Sequence, residues 1–284
     1  MSDPVPSLVS TEWLAKRLGS DNLVVLDASR HLPAADRDPR AEFETAHIPG
    51  AHFLDLASLT DTASDVPAAL PSAAQLSDRL DRLGVGPEDA VILYDDSDLK
   101  TSARAWFTLT AHGIEDVAIL DGGLGKWKAE GRDLESGSAA PDPVSTGGVF
   151  SPKGVRSKQD MLNNLENEVE QVLDARSADR VFGTGIDPVH GGENGRIPGS
   201  LNLPFDKLFN ADGTYRSEEE LRAAFHGAGV DLDRPVVATC GSGITASVLL
   251  FALHLIGKHD TALYDGSWQE WSADPATPKA HGPA

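Results

Sequence analysis

The chain has 284 residues, 40% of them hydrophobic, which is enough for two ordinary globular domains, each with its own core. A formal net charge of -20 argues against nucleic acid and anionic membrane as partners, and no apolar run reaches membrane-spanning length. A single cysteine, Cys240, rules out an internal disulfide; with an opening MSDPVPSLVS that lacks a secretory pattern, it makes a reducing cytoplasm the expected location.

The first helical pattern, STEWLAKRLGS at 10–20, precedes a β-branched run, NLVVLDA at 22–28, that reads as a buried strand. SAAQLSDRLDRLG at 72–84 reads as a helix and DAVILYD at 89–95 as a strand that runs into DDSDLK at 95–100. The stretch DLESGSAAPDPVSTGGVFSPKG, 133–154, is rich in Gly, Pro and Ser and marks a linker. Beyond it come a helix, KQDMLNNLENE at 158–168, and a strand, EQVLDAR at 170–176. SEEELRAAFHGAG at 217–229 places acidic residues where a helix dipole is positive. RPVVATC, 234–240, is a strand that delivers the cysteine, and ITASVLLFALHLIG, 244–257, is a helix closed by Gly257.

Four segments of the first half recur in the same order in the second. VVLDASR (24–30) matches QVLDARS (171–177), and HIPGAHFLDL (47–56) matches RIPGSLNLPF (196–205). AVILYDDSD (90–98) matches PVVATCGSG (235–243), and AILDGGLGKW (118–127) matches ALYDGSWQEW (262–271). The fold expected is therefore α/β, with two tandem copies of one domain, each a parallel β-sheet flanked by helices. The copies span 1–135 and 153–284, joined by a linker at 136–152. Asp27 and Asp174 end matching strands, as do Asp121 and Asp265; because they recur in both copies they read as structural. Trp127 and Trp271 match as well and read as core.

The copies differ at the cysteine. Cys240-Gly241-Ser242-Gly243-Ile244-Thr245 lies at the C-terminal edge of the sheet, where open α/β sheets bind ligands. Glycines let backbone N–H groups turn around the sulfur, and the following helix adds partial positive charge. Such surroundings favour the thiolate, the nucleophilic form, whose pKa at sites of this kind falls to ~3.5–7.5. A lone cysteine is more often a small buried hydrophobe, but Asp95 holds the same place in the first copy, so the fold does not need a thiol there. The first-copy loop DDSDLK has no glycine to turn its amides inward and carries three carboxylates, so it is expected to repel an anion. Phosphatases of the cysteine type need an arginine six residues after the cysteine; Ala246 stands there, which argues against phosphoryl transfer and suits a smaller cargo, one sulfur atom held as a persulfide.

Over essentially its full length the chain resembles the two-domain rhodanese family. CGSGITA resembles the active loop of the mercaptopyruvate sulfurtransferase branch, whereas the thiosulfate branch carries a basic pair where Gly241 and Ser242 stand; DGSWQEW and RIPGSLNLPF also resemble family signatures. The resemblance implies an inactive first copy, a catalytic second copy and a site between them. It implies that Cys240 attacks the outer sulfur of a small anionic donor, 3-mercaptopyruvate favoured over thiosulfate. The persulfide cradled by Gly241, Ser242, Gly243, Ile244 and Thr245 then passes its sulfur to cyanide or a thiol, including that of a thioredoxin-like protein. The scheme is ping-pong, without metal or organic cofactor; a non-catalytic sulfur carrier is the alternative from another class, and it would load once and stop.

Arg180, in SADRVFGTG, stands where the family binds the donor's anionic group. The mercaptopyruvate branch has a second arginine nine residues on, where Val189 stands here; His190 and Arg196 are the candidates to compensate. The Asp and His that the family groups with Ser242 are replaced by Ala57 and Ala68, which leaves Ser242 as a hydrogen-bond donor. Thr245 is placed to donate to the thiolate or to cap the helix. HGGE, 190–193, has two metal-ligand types but no further well-spaced partners, and reads as a flexible loop with no metal assigned.

Overall fold

The computed structural model describes residues 5–137, 141–147 and 149–282. The chain forms two compact units: Met1–Asp61 with Leu70–Lys153 and Phe209–Tyr215, and Thr62–Ala69 with Gly154–Leu208 and Arg216–Ala284.

In the first unit, β1 (Leu8–Val9), β2 (Leu23–Asp27), β3 (His52–Phe53), β4 (Ala90–Tyr94) and β5 (Val117–Leu120) form a sheet in the order β1-β5-β4-β2-β3. Every pairing is parallel, as strand–helix alternation requires. Around it lie α1 (Thr11–Ala15), α2 (Pro39–Thr45), α3 (Ala73–Arg82), α4 (Ser102–Ala111) and α5 (Gly123–Ala129). All five residues of β4 are buried, the pattern of a strand covered on both faces.

The second unit repeats this order as β6-β10-β9-β7-β8, again wholly parallel. Its strands are β6 (Val155–Arg156), β7 (Gln171–Asp174), β8 (Leu201–Asn202), β9 (Val236–Thr239) and β10 (Thr261–Tyr264). Its helices are α6 (Lys158–Asn167), α7 (Ala178–Phe182), α8 (Glu218–Gly227), α9 (Ala246–Leu255) and α10 (Ser267–Ala273). The capping boxes Ser157–Asp160 and Ser217–Glu220 start α6 and α8, and Gly257 follows α9 with φ +78°. Residues 246–253 of α9 are all buried, so this helix is apolar on every side. Trp127 and Trp271 lie in the two cores, as the repeat implied. From β7 the chain crosses to β8 on one side, and from β9 to β10 on the other, which puts the switch point of the sheet at the C-terminal ends of β7 and β9.

Two boundaries differ from those expected. Described residues of the 136–152 linker belong to the first unit and are bonded to it: the N–H groups of Val144 and Phe150 donate to the carbonyls of Asp81 and His112 at 3.0 Å each, and the Thr146 N–H to Asp81 Oδ1 at 2.7 Å. Residues 138–140 and 148 lie outside the described set. Phe209–Tyr215 also belongs to the first unit, where the Tyr215 N–H donates to Asp121 Oδ1 at 2.8 Å and Lys126 pairs with Asp212 at 3.1 Å.

The recurring strand-end aspartates are buried, Asp27 at 2% exposure and Asp174 at 1%, but they are not equivalent. Asp174 is paired with Arg176; the matching residue beside Asp27 is Ser29, whose N–H donates to Oδ1 at 2.8 Å. Burial pushes the Asp27 carboxyl up to about 6, against the opposing hydrogen bonds of Ser29. A folded-state pKa above the unfolded ~3.9 stabilises the protonated form, so the contribution is fully present below pH ~4 and is lost as pH rises through about 6, a change of about 3 kcal/mol. Asp27→Asn is therefore expected to be more stable than the native chain at pH 7 by up to about 3 kcal/mol, with the difference vanishing below pH ~4. Thermal melts of both proteins at the two pH values check this, and a difference independent of pH would contradict it.

Candidate active site

Strand β9 ends at Thr239 and places Cys240 at the switch point, at 2% exposure. The loop is held by its backbone. The Cys240 N–H donates to Ser267 Oγ at 3.2 Å, and the carbonyls of Cys240 and Gly241 accept from the N–H groups of Trp268 and Gln269 at 2.9 and 3.0 Å. Gly243 has φ +77°, a left-handed conformation that turns the chain before α9. Ser242 and Ile244 are buried. Thr245 takes the N-cap position with helical φ and ψ of -74° and -19° and makes no side-chain cap, so the capping role expected for it is not filled.

Gly241 is needed for close approach. A methyl group there would fall 2.1 Å from Cε1 and 2.6 Å from Nδ1 of His190. His190 is in turn bound by Arg180, whose Nη2 lies 3.0 Å from Nδ1. Arg180 also grips Asp187, with Nε 3.1 Å from both carboxylate oxygens and Nη2 2.8 Å from Oδ2. Asp187 Oδ1 further accepts from the N–H groups of Val189 at 2.8 Å and His190 at 3.4 Å. Burial raises the Asp187 carboxyl, but the hydrogen bonds of Arg180 and Val189 and the charge of Arg180 outweigh it, and it sits below the usual carboxylate range.

Behind Asp187 lies Arg176, its side chain fully buried, with Nη1 3.7 Å from Asp187 Oδ2. Its Nη2 donates to Asp174 Oδ2 at 2.7 Å and to the Gly195 carbonyl at 2.6 Å, and its guanidinium lies 4.8 Å from the Trp268 ring centre. Trp268 thus ties three parts of the site together, since its N–H holds the Cys240 carbonyl and its Nε1 donates to the Glu193 carbonyl at 2.7 Å. Neither Arg176, Asp187, Ser267 nor Trp268 was singled out by the sequence.

The HGGE stretch is hydrogen-bonded to the residues before it. Ile186 bridges Glu193, the Asp187 N–H donates to the Gly192 carbonyl at 2.5 Å, and the Gly191 N–H donates to the Asp187 carbonyl at 2.9 Å. A tight turn results, with His190 fixed against Gly241. Arg196 proves to have another place. Its backbone pairs with Ala280, its guanidinium packs 5.0 Å from the Phe182 ring centre, and Nη1 donates to the Gly282 carbonyl. It pins the C-terminal segment, and the substrate-binding role considered for it is withdrawn.

The first copy holds Asp95 at the place of Cys240, and the Leu124 N–H donates to its carbonyl at 3.0 Å, just as Trp268 does to Cys240. Contrary to the expectation for a loop without glycine, amides do turn inward here. The N–H groups of Ser97 and Ser102 donate to the two Asp95 carboxylate oxygens at 2.9 and 2.8 Å, and Lys100, at φ +53°, supplies the left-handed turn. This cradle is filled by its own side chain.

The model of the rhodanese-like domain family matches residues 10–130 and 157–274. The chain is 41% identical over 271 residues to the 3-mercaptopyruvate sulfurtransferase of Mus musculus, covering 93% of this chain and 91% of that protein. It is 37% identical over 298 residues to the mitochondrial thiosulfate/3-mercaptopyruvate sulfurtransferase 1 of Arabidopsis thaliana, covering 98% and 78%. Among solved structures, that of SseA from Escherichia coli, a 3-mercaptopyruvate sulfotransferase, superimposes with a TM-score of 0.84 at 34% identity, covering 93% of this chain and 99% of that one.

Proposed function

The chain belongs to the rhodanese family and is a sulfurtransferase, and from that premise we propose that it carries sulfane sulfur on Cys240, with 3-mercaptopyruvate as donor and a thiol or cyanide as acceptor. The observation that carries this reading is the placement of the single thiol at the end of β9, with His190 of the Arg180–Asp187–His190 set against the next residue. The Cys240 thiolate attacks the donor's sulfur. The carbon–sulfur bond breaks, its electron pair leaves as the enolate of pyruvate, and a proton from solvent completes pyruvate. An acceptor thiolate or cyanide then attacks the outer sulfur and returns Cys240 as thiolate, so no net oxidation is required. Arg180 orients the donor's carboxylate, and Gly241 through Thr245 wrap the persulfide.

Gly241 and Ser242, in place of a basic pair, favour the mercaptopyruvate donor over thiosulfate. The acceptors we propose include a thioredoxin-like protein thiol, and the compartment we propose is a reducing cytoplasm, on the strength of the lone cysteine. Among the described residues no helix is long and apolar enough to cross a membrane. Exposure to 3-mercaptopyruvate without acceptor is expected to add the mass of one sulfur atom to the Cys240 peptide, and cyanide should remove it. Intact-mass spectra without that adduct during active turnover would replace the persulfide route with direct transfer in a ternary complex. The ratio of kcat/KM for the two donors decides between them.

A further inference from the structure

The groups beside the cysteine loop cancel in charge. Arg176 and Arg180 are matched by Asp174 and Asp187, whose carboxylates are buried. An anionic donor entering a chain of net charge -20 therefore meets no surplus of positive charge at these four residues. His190 is the member of the set whose charge can change in the neutral range. Its state in the structure is fixed by its neighbour. A guanidinium only donates, so the 3.0 Å contact from Arg180 Nη2 requires Nδ1 to be the unprotonated acceptor of a neutral ring with its proton on Nε2. In this state one N–H of Arg180 is spent on His190.

We propose that His190 is a positioning residue that couples donor capture to uptake of one proton. An anionic donor draws a proton from solvent onto Nδ1, the Arg180 Nη2–His190 Nδ1 hydrogen bond breaks, and the released Nη2–H turns to the donor's anionic group. The cluster passes from net zero to net +1, and no covalent bond to carbon or sulfur changes. Charged and titratable groups face the ring from several segments. Arg180 reaches it from α7, and Asp187 holds its backbone N–H within the same turn. Arg176 and Asp174 stand behind Asp187, and the Cys240 thiol precedes the Gly241 that the ring touches. Glu193, at the foot of the turn, lies 3.9 Å from His281. Asp187 keeps Arg180 in reach throughout, through contacts from Nε that do not involve His190.

This inference rests on the sulfurtransferase reading above, and the test separates the two. Steady-state kinetics with 3-mercaptopyruvate and a thiol acceptor are measured from pH 5.5 to 9 for the native chain, His190→Gln, His190→Lys and Gly241→Ala. For the native chain KM is expected to rise with pH, approaching tenfold per pH unit, while kcat follows a separate profile. His190→Gln should raise KM at low pH and remove the rise, and His190→Lys should give a low, flat KM. Gly241→Ala, whose methyl group displaces the ring, should flatten the profile as His190→Gln does. Calorimetric titration of the unreactive Cys240→Ser variant with 3-mercaptopyruvate, in buffers of different ionisation enthalpy, should show proton uptake that His190→Gln abolishes. Turnover with the same KM profile in the native chain and His190→Gln, or binding without proton uptake, overturns the coupling and leaves the sulfurtransferase reading intact. Absence of turnover with either donor at every pH overturns that reading itself.

Discussion

Replacing Cys240 with serine is expected to abolish sulfur transfer while leaving the fold in place. A serine hydroxyl has no accessible anion at neutral pH and cannot hold a transferable sulfur, so nothing in the loop can take over the reaction. The fold should survive because the loop is fastened through main-chain atoms: the Cys240 N–H to Ser267 Oγ, and its carbonyl to the Trp268 N–H. Exchanging sulfur for the smaller oxygen leaves both contacts. Adding Asp95→Cys to this variant should not rescue it. The Ser97 and Ser102 amides of the first copy converge on a carboxylate, and the arginine–carboxylate–histidine set of that unit, Arg37–Glu42–His31, has its arginine tied to Asp96 as well as to Glu42. Turnover well above background in well-folded Cys240→Ser would remove Cys240 from the mechanism. Turnover in the double variant would show that a thiol at a strand end is sufficient by itself.

Arg176→Ala is expected to destabilise the second unit by about 3–5 kcal/mol, the range for removing one partner of a buried ion pair. The loss is large because two carboxylates depend on this side chain. Asp174 loses Nε and Nη2, and Asp187 loses its second guanidinium neighbour. The Gly195 carbonyl loses its donor and the Trp268 ring its cation. In the first copy, with Ser29 in the corresponding place, burial drives the Asp27 carboxyl up to about 6 in spite of the lowering hydrogen bonds of Ser29. Arg176→Lys keeps the charge but not the fork and should recover only part of the loss. Denaturant unfolding followed by tryptophan fluorescence reads these differences. A change under about 1 kcal/mol for Arg176→Ala would mean that Asp174 and Asp187 are stabilised by their other hydrogen bonds alone.

The parts of the molecule that announced themselves in the sequence are those with local patterns. The runs at 22–28, 89–95, 170–176 and 234–240 became β2, β4, β7 and β9, because β-branched runs between helical patterns have few other uses. The two-residue strands β1, β3, β6 and β8 escaped because two residues carry no periodicity. The cysteine loop was legible from its glycines and the apolar helix that follows, whereas its electrostatic support was not. Asp187 sits in GTGIDPVHGG, a string of turn formers, and its ion pairs with Arg176 and Arg180 run through an irregular stretch of chain whose spacing carries no helical or strand period. Arg176 looked like one variable letter in a repeat, since Ser29 replaces it in the first copy. The Asp95 loop misled because Lys100 adopts the left-handed turn that glycine would ordinarily provide. Arg196 misled for another reason, since a charge in a signature motif gives no sign of which carbonyl it will cap.

The isolation of Cys240 also bears on how the molecule survives oxidants. A sulfenic acid formed on a thiol is ordinarily rescued by condensation with a neighbouring thiol, before further oxidation makes the damage permanent. This sequence holds no second cysteine, so no internal disulfide can serve as a shelter. Exposure of only 2% restricts the approach of bulky oxidants. Repair of whatever does form falls to thiols from outside, the class of acceptor proposed above to unload the persulfide. With a thiol as acceptor, as proposed, catalytic throughput and the working lifetime of each copy would draw on one external supply of reductant, and depletion of that supply should stall the first and shorten the second together.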